Sequence, residues 1–347
     1  MTIYWVMFWL PMLGVLSPRR LVDRQAKWMF ALTCVFMACV VGLRDNVGGD
    51  WGTYEDQFQY LRNVDFIDAL TFNDPLYYGI NWITAQLGGE VYQVNLICAA
   101  IFMAGIFRFA HNLPNPWLAM VVAVPYLMIV VGMGYTRQAT ALGLVMFGLV
   151  SFSRGKTLPF VAACLIGAGF HKTALLLLPL AGVAASNQRI WSAIWVASAF
   201  VVAYYVLLHS ESSGMWNTYV SEKIESQGAI ERVLMNVVAA IPIIRYRDRL
   251  LIEPQAKRLW LIFAFLALAC LPLVFFASTA VDRMALYLIP MQLVVFSRMP
   301  NLTGNTAART VLVVGIVLYY ALVQGVWLNF AVQRSYWVPY QHVAFGD

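Results

Sequence analysis

A chain of 347 residues that is 61% hydrophobic and only 12% charged, with a mean hydropathy of +0.70, leaves no room for a large soluble domain. Its formal net charge of +6 does not point to nucleic acid, because the basic residues sit in short breaks between apolar runs, where membrane topology explains them. Cys34, Cys39, Cys98, Cys164 and Cys270 all fall inside apolar runs without metal-ligand spacing, which argues against a disulfide framework and makes them small core hydrophobes.

Apolar runs recur from Ile3 to Phe330, several long enough to cross the roughly 30 Å hydrocarbon core. The ten-residue alternation of a barrel is missing, so helices are the spanning structure and the fold class is an all-α, polytopic integral membrane protein. Candidate spans lie at 3–16, 27–43, 91–107, 117–133, 138–152, 157–169, 173–185, 191–208, 231–244, 258–277, 284–297 and 309–330, a bundle of twelve transmembrane helices in one domain, 1–347. No basic region precedes the first run and no small-residue cleavage site follows it, so a removable signal peptide is not expected.

After the second span comes an island of charge and glycine, Gly42 to Phe58. Gly48 and Gly49 allow a tight backbone before Asp50, and Thr53-Tyr54-Glu55-Asp56 reads as a capping box that gives Asp56 a structural task. Asp50 has no such task. Arg44 at the membrane edge has Asp45 and Asp50 as local partners, so the island is either a self-neutralising salt-bridge loop or a site. Segment 75–87 starts at Asn73-Asp74-Pro75, stops at Gly88-Gly89 and sets Leu76, Ile80, Ile83 and Leu87 on one face. It is expected to lie as an amphipathic helix on the membrane surface, packed on the bundle.

Further along, Thr136 caps a helix whose first turn carries Arg137. A cation beside the positive end of a helix suits an anion such as phosphate; the alternative is an arginine snorkelling to the interface. The runs 157–169 and 173–185 are too short to cross upright at ~1.5 Å per residue and read as half-spans of broken helices, with His171 and Lys172 at the break. Asp282-Arg283 separates two long spans, with Tyr287 one turn below Arg283.

Sidedness follows from charge. The breaks at 17–27, 108, 153–156, 189, 245–258 and 298–309 hold 15 of the 23 cations but only 3 of the 17 acids, which makes them cytoplasmic by the positive-inside rule. Both termini, loops 44–74 and 209–230 and tail 331–347 are then expected outside. Trp216, Tyr219, Trp337 and Tyr340 in those segments are either sugar-stacking rings or an interfacial aromatic belt.

Arg44, Arg137, Lys172 and Arg283 thus stand on one face, accompanied by Asp50, Glu55, His171 and Asp282. Guanidinium groups match phosphate oxygens, and a nearby carboxylate or imidazole can accept a proton from an attacking hydroxyl. The expected substrate is a lipid with a phosphate or pyrophosphate headgroup. There is no Asp-x-Asp pair, P-loop, His-Glu-x-x-His or Gly-x-Ser-x-Gly, so neither a metal nor an organic cofactor is supported.

Gly42-Leu43-Arg44 with Gly49-Asp50 and Tyr54, then Tyr135-Thr136-Arg137-Gln138-Ala139, Phe170-His171-Lys172-Thr173-Ala174 and Asp282-Arg283, in this order, resemble the EpsG-like family of bacterial polysaccharide polymerases, relatives of the Wzy type. The resemblance implies a glycosyltransferase of the inner membrane with its active site facing the periplasm. It would transfer a growing glycan from a polyprenyl pyrophosphate carrier onto an incoming lipid-linked repeat unit. It further implies a chain-length regulator or flippase of the same pathway as partner. On that reading Arg137, Arg283 and Lys172 hold the departing pyrophosphate, with Arg44 contributing. Asp50 is the first choice of general base and His171 the second, Asp282 orients Arg283, and Tyr54, Gln138 and Tyr287 join the substrate-binding set. Two alternatives stand beside it: a single-transfer glycan ligase or polyprenyl-phosphate-sugar glycosyltransferase, and a transporter or flippase of lipid-linked oligosaccharides.

Overall fold

The computed structural model describes residues 1–17, 24–184, 228–251 and 253–345, together with 190, 191, 194, 197, 198, 201 and 202. Helices α1 (Thr2–Leu16), α2 (Arg24–Gly42), α3 (Trp51–Leu61), α4 (Phe66–Thr71), α5 (Pro75–Gln86) and α6 (Val91–His111) make up the first part. The second part holds α7 (Pro116–Gly134), α8 (Thr136–Ser153), α9 (Thr157–Ala168), a 3-10 turn Lys172–Leu177 and α10 (Leu178–Ala184). The last holds α11 (Ala229–Leu250), α12 (Pro254–Leu273), α13 (Ser278–Leu288), α14 (Pro290–Leu302) and α15 (Thr306–Phe330). Among the described residues the chain is all-α apart from a two-residue ladder, in which β1 (Arg44–Asp45) pairs antiparallel with β2 (Gln341–His342).

Among the described residues five helices, α2, α6, α7, α12 and α15, are long and apolar enough to cross a membrane. The pair α13–α14, bent by 44°, brings the number to six. Shorter apolar helices, α1, α9 and the segment from Lys172, account for three more of the expected spans, and the expected span 191–208 lies largely outside the described residues.

α7 is the central helix, 94% buried along its span. Pro125 removes one N–H from it, and the stretch Val124–Val131 widens into a π-helix where its ring would otherwise strike the preceding turn. α6 and α8 pack at backbone contact: a Cβ on Gly105 would sit 2.0 Å from the Gly143 carbonyl oxygen, so the small residues let the two helices close.

α5 packs against the bundle as expected, with Ile80 half-buried against the core. Tyr77, Tyr78, Asn81 and Thr84 are buried, whereas Leu76 and Ile83 are 41% and 49% exposed, with Leu87 just beyond the helix end at 82%. Leu76, Ile83 and Leu87 stay outward because the inner neighbours are Arg137 and the Tyr54 ring, which favour rings and polar atoms. Loop 44–74 is itself helical, and the tail is not free. Trp337 is 1% exposed, donates from Nε1 to the Ile129 carbonyl at 3.0 Å, and accepts from the Tyr4 hydroxyl at 2.5 Å. It belongs neither to a sugar-stacking surface nor to an interfacial belt. Tyr340 donates to the Val40 carbonyl at 2.8 Å. Trp216 and Tyr219 lie outside the described residues.

Candidate active site

The island after α2 is fixed from both sides. Gly48 takes φ +109, where a side chain would be strained, and donates its N–H to the Tyr336 carbonyl at 2.8 Å. A Cβ there would meet the Met133 carbonyl oxygen at 2.2 Å, so glycine lets the loop press onto the end of α7. Beneath it Arg44 is 1% exposed. It donates from Nη1 to Val41 O at 2.6 Å, from Nε to Val47 O at 2.9 Å and from Nη2 to Thr136 Oγ1 at 2.7 Å. Arg44 therefore ties α2, the loop and α8 together below the site surface. Its hold on Thr136 also shows why Thr136 does not cap α8: Tyr135 occupies the N-cap position, and the Thr136 hydroxyl is spent on Arg44 and Asn95.

α3 begins at Trp51, earlier than the capping box requires, so Asp50 rather than Thr53 stands at its N-cap position. The Asp50 carboxylate does not cap the helix; it accepts from the Tyr54 hydroxyl at 3.4 Å. Burial raises its pKa above the ordinary carboxylate value, opposed by Arg283, Arg137 and Arg44 in that order. Asp50 thus faces the site cations.

Arg137, in the first turn of α8, pairs with Asp74 at 2.9 Å and also donates to the Tyr78 hydroxyl at 3.4 Å. Its guanidinium carbon lies 6.0, 5.8 and 6.0 Å from the ring centres of Tyr54, Tyr77 and Tyr78, a box of three rings. Asp74 also receives the backbone N–H of Lys172, and burial pushes its pKa up to about 6 against the pull of Arg137 and Lys172. The ion pair thereby couples the α5 start, the α8 start and the break after α9.

At that break His171 caps the 3-10 turn, its Nδ1 accepting from the Thr173 N–H at 3.3 Å and lying 3.0 Å from Thr173 Oγ1. Thr173 Oγ1 in turn lies 3.0 Å from the hydroxyl of the buried Tyr287. Burial, reinforced by Arg137, Arg283 and Lys172, lowers the His171 pKa to about 3. That makes the imidazole a neutral capping group and a weak base. Lys172 is buried beside it.

Arg283 and Gln138 exchange hydrogen bonds, Gln138 Nε2 donating to the Arg283 carbonyl at 2.9 Å and Arg283 Nη1 donating to Gln138 Oε1 at 3.1 Å. The Arg283 guanidinium lies 4.4 Å from the Tyr135 ring centre. Among the described residues no carboxylate stands within ion-pair distance of it. Asp282 does not orient Arg283. It is buried on the other side of α13 in a bidentate pair with Arg232 of α11, at 2.5 and 2.6 Å. Successive helix residues point about 100° apart, which separates the two partners.

Beyond Arg232 a lateral groove of about 480 Å³ opens between α7, α11 and α15, with Glu231, Arg232 and Gln333 at one part and Leu322, Val326 and Phe330 at another. It joins an apolar, outward-facing wall to charged groups at the same end of the bundle as Arg283.

The structure therefore gathers Asp50, Tyr54, Arg137, Gln138, His171, Lys172, Arg283 and Tyr287 at one end of the bundle, leaves Arg44 underneath as a tie, and turns Asp282 away. Asp74, Tyr77, Tyr78, Tyr135, Thr173 and Arg232 are the residues sequence reasoning missed. Asp74 carried a signal, an acid in a break on the same face as the cations, but its position before Pro75 made it look like a helix start alone.

No curated protein and no solved structure matches the chain. A family model does: the description EpsG family covers residues 27–342, from α2 to β2, and so includes every residue of the site. On that match over nearly its whole length, the chain belongs to the EpsG family, whose members are Wzy-type polysaccharide polymerases.

Proposed function

We propose that the site transfers a glycan from polyprenyl pyrophosphate to a hydroxyl of an incoming lipid-linked repeat unit at the periplasmic face of the inner membrane. The observation that carries this reading is Arg283, a cation held by a neutral amide and a ring, beside Arg137 and facing Asp50. A guanidinium without a carboxylate partner suits an anionic group that comes and goes. The acceptor oxygen bonds to the anomeric carbon, the bond from that carbon to the pyrophosphate oxygen breaks, and the acceptor proton passes to Asp50. Arg283, Arg137 and Lys172 stabilise the negative charge on the departing pyrophosphate. Asp50 is favoured over His171 as base because its pKa is raised while that of His171 is lowered. The lateral groove beside Arg232 is suited to the isoprenoid chain, which would keep the tail in lipid while the headgroup reaches the cations.

Purified protein supplied with a lipid-linked repeat unit is expected to build a ladder of lengths. A single discrete addition would favour the single-transfer reading. No transfer in a preparation shown to bind the substrate would refute both.

A further inference from the structure

The end of the bundle opposite the active site holds two cavities that meet. The larger, about 910 Å³, lies where the end of α1, the start of α2, the α6–α7 turn and the start of α15 converge, and its lining includes Lys27, His111, Asn115, Thr306 and Arg309. The second, about 530 Å³, runs along the outside of the α1–α2 hairpin past Leu10, Leu13, Met29, Leu32 and Phe36. Gly14, Ser17 and Trp117 line both, so a polar chamber continues into an apolar channel.

The chamber's lining carries two cationic side chains, Lys27 and Arg309. Among the described residues neither Lys27 nor Arg309 has a carboxylate within ion-pair distance. α7 opens onto the chamber with Asn115 at its N-cap position, yet the Asn115 amide donates to Ser297 O at 2.6 Å and does not cap the helix, so the positive pole of a 19-residue helix is left facing the chamber. The channel is the reverse: Leu13, Met29 and Leu32 stand exposed, as side chains meant for hydrocarbon do.

We propose that these joined cavities bind one anionic glycerophospholipid, its phosphate between Lys27 and Arg309 and one acyl chain along the α1–α2 channel. A free anion would leave the channel unused. A zwitterionic lipid would bring a cation to a chamber that already holds two. The chamber is lined by the start of α15 and the groove beside Arg232 by its end, so the two lie at opposite ends of that 25-residue helix.

Native mass spectrometry of the detergent-solubilised full chain, supplied with dioleoyl phosphatidylglycerol or dioleoyl phosphatidylcholine, tests this. Wild type is expected to retain one phosphatidylglycerol in preference to phosphatidylcholine, and Lys27→Glu/Arg309→Glu to bind it about tenfold or more weakly. Leu13→Trp/Leu32→Trp, which places two indoles in the channel, is expected to weaken retention while leaving the melting temperature in phosphatidylcholine unchanged. Equal retention of the two lipids overturns the proposal, as does undiminished retention by the charge-reversed variant. Complete displacement by equimolar inorganic phosphate overturns the lipid assignment. Should the charge-reversed variant not fold, undiminished retention by the tryptophan variant decides against it.

Discussion

Arg137 and Arg283 carry the same charge under different restraint, one paired with Asp74 and the other resting on Gln138 and Tyr135. Replacing Arg283 with Lys keeps the charge but loses both the planar fork and the stack on the ring, so chain growth should fall about 100-fold or more with the protein still folded in the membrane. Near-normal polymer from Arg283→Lys or Arg137→Lys would remove the bidentate-phosphate argument. Asp50→Asn should abolish transfer while binding of the lipid-linked substrate persists, which a binding assay beside the ladder assay separates. Acid should act in one direction. Asp74 titrates near 6, so as pH falls through that value its carboxylate is neutralised and its grip on Arg137 is lost, and protonation of Asp50 removes the base. The rate should therefore drop on the acid side of about pH 6, and Asp74→Asn should flatten that limb. Of these residues Arg137, Arg283 and Asp50 were legible as charges out of place in an apolar chain. The partners were not: the Asp282–Arg232 and Arg137–Asp74 pairs join residues 50 and 63 positions apart, and nothing local announces them.

At the level of the element, periodicity was a good guide to where helices run and a poor one to what they face. α5 has an aliphatic stripe, and the usual rule turns such a stripe inward; here the interior it meets is made of Arg137 and aromatic rings, so Tyr77 and Tyr78 take the inner positions. The tail shows the same limit. Its aromatic residues look like surface anchors until Trp337 is seen filling space against α7, Trp327 and Tyr4. Trp337→Ala should cost about 3–5 kcal/mol, read as a fall in melting temperature, and should lower activity as well because Tyr336 holds Gly48. A variant that melts earlier but keeps full activity at low temperature would show that the island keeps its place without the tail. Gly48→Ala should lose activity, since it both strains the loop and drives a Cβ against the Met133 carbonyl at the end of α7, and a melting curve beside the ladder assay reads how much of the fold goes with it.

For the whole molecule, hydropathy and charge identified a helical membrane protein, and the family match reached the same class by another route. The number of crossings was less legible, because short, proline-bearing or half-buried helices satisfy the bundle without meeting the length of an isolated span. α1 illustrates this: Tyr4 near its start reaches Trp337 at the active-site end, while Gly14 and Ser17 line the chamber at the opposite end, so 15 residues cover the depth of the bundle.

The two-residue ladder between Arg44–Asp45 and Gln341–His342 sets a parity condition on the chain. Because both strands lie at one surface, whatever number of crossings intervenes must be even, and single cysteines placed at Asn46 and Gln341 should react with an impermeant maleimide from the same side of the membrane. Labelling from opposite sides would break the ladder in the native protein. The same pairing sets an order in time. Gln341 leaves the ribosome after the fifteen helices described, so the loop that carries Asp50 gains this restraint only once those helices have been made.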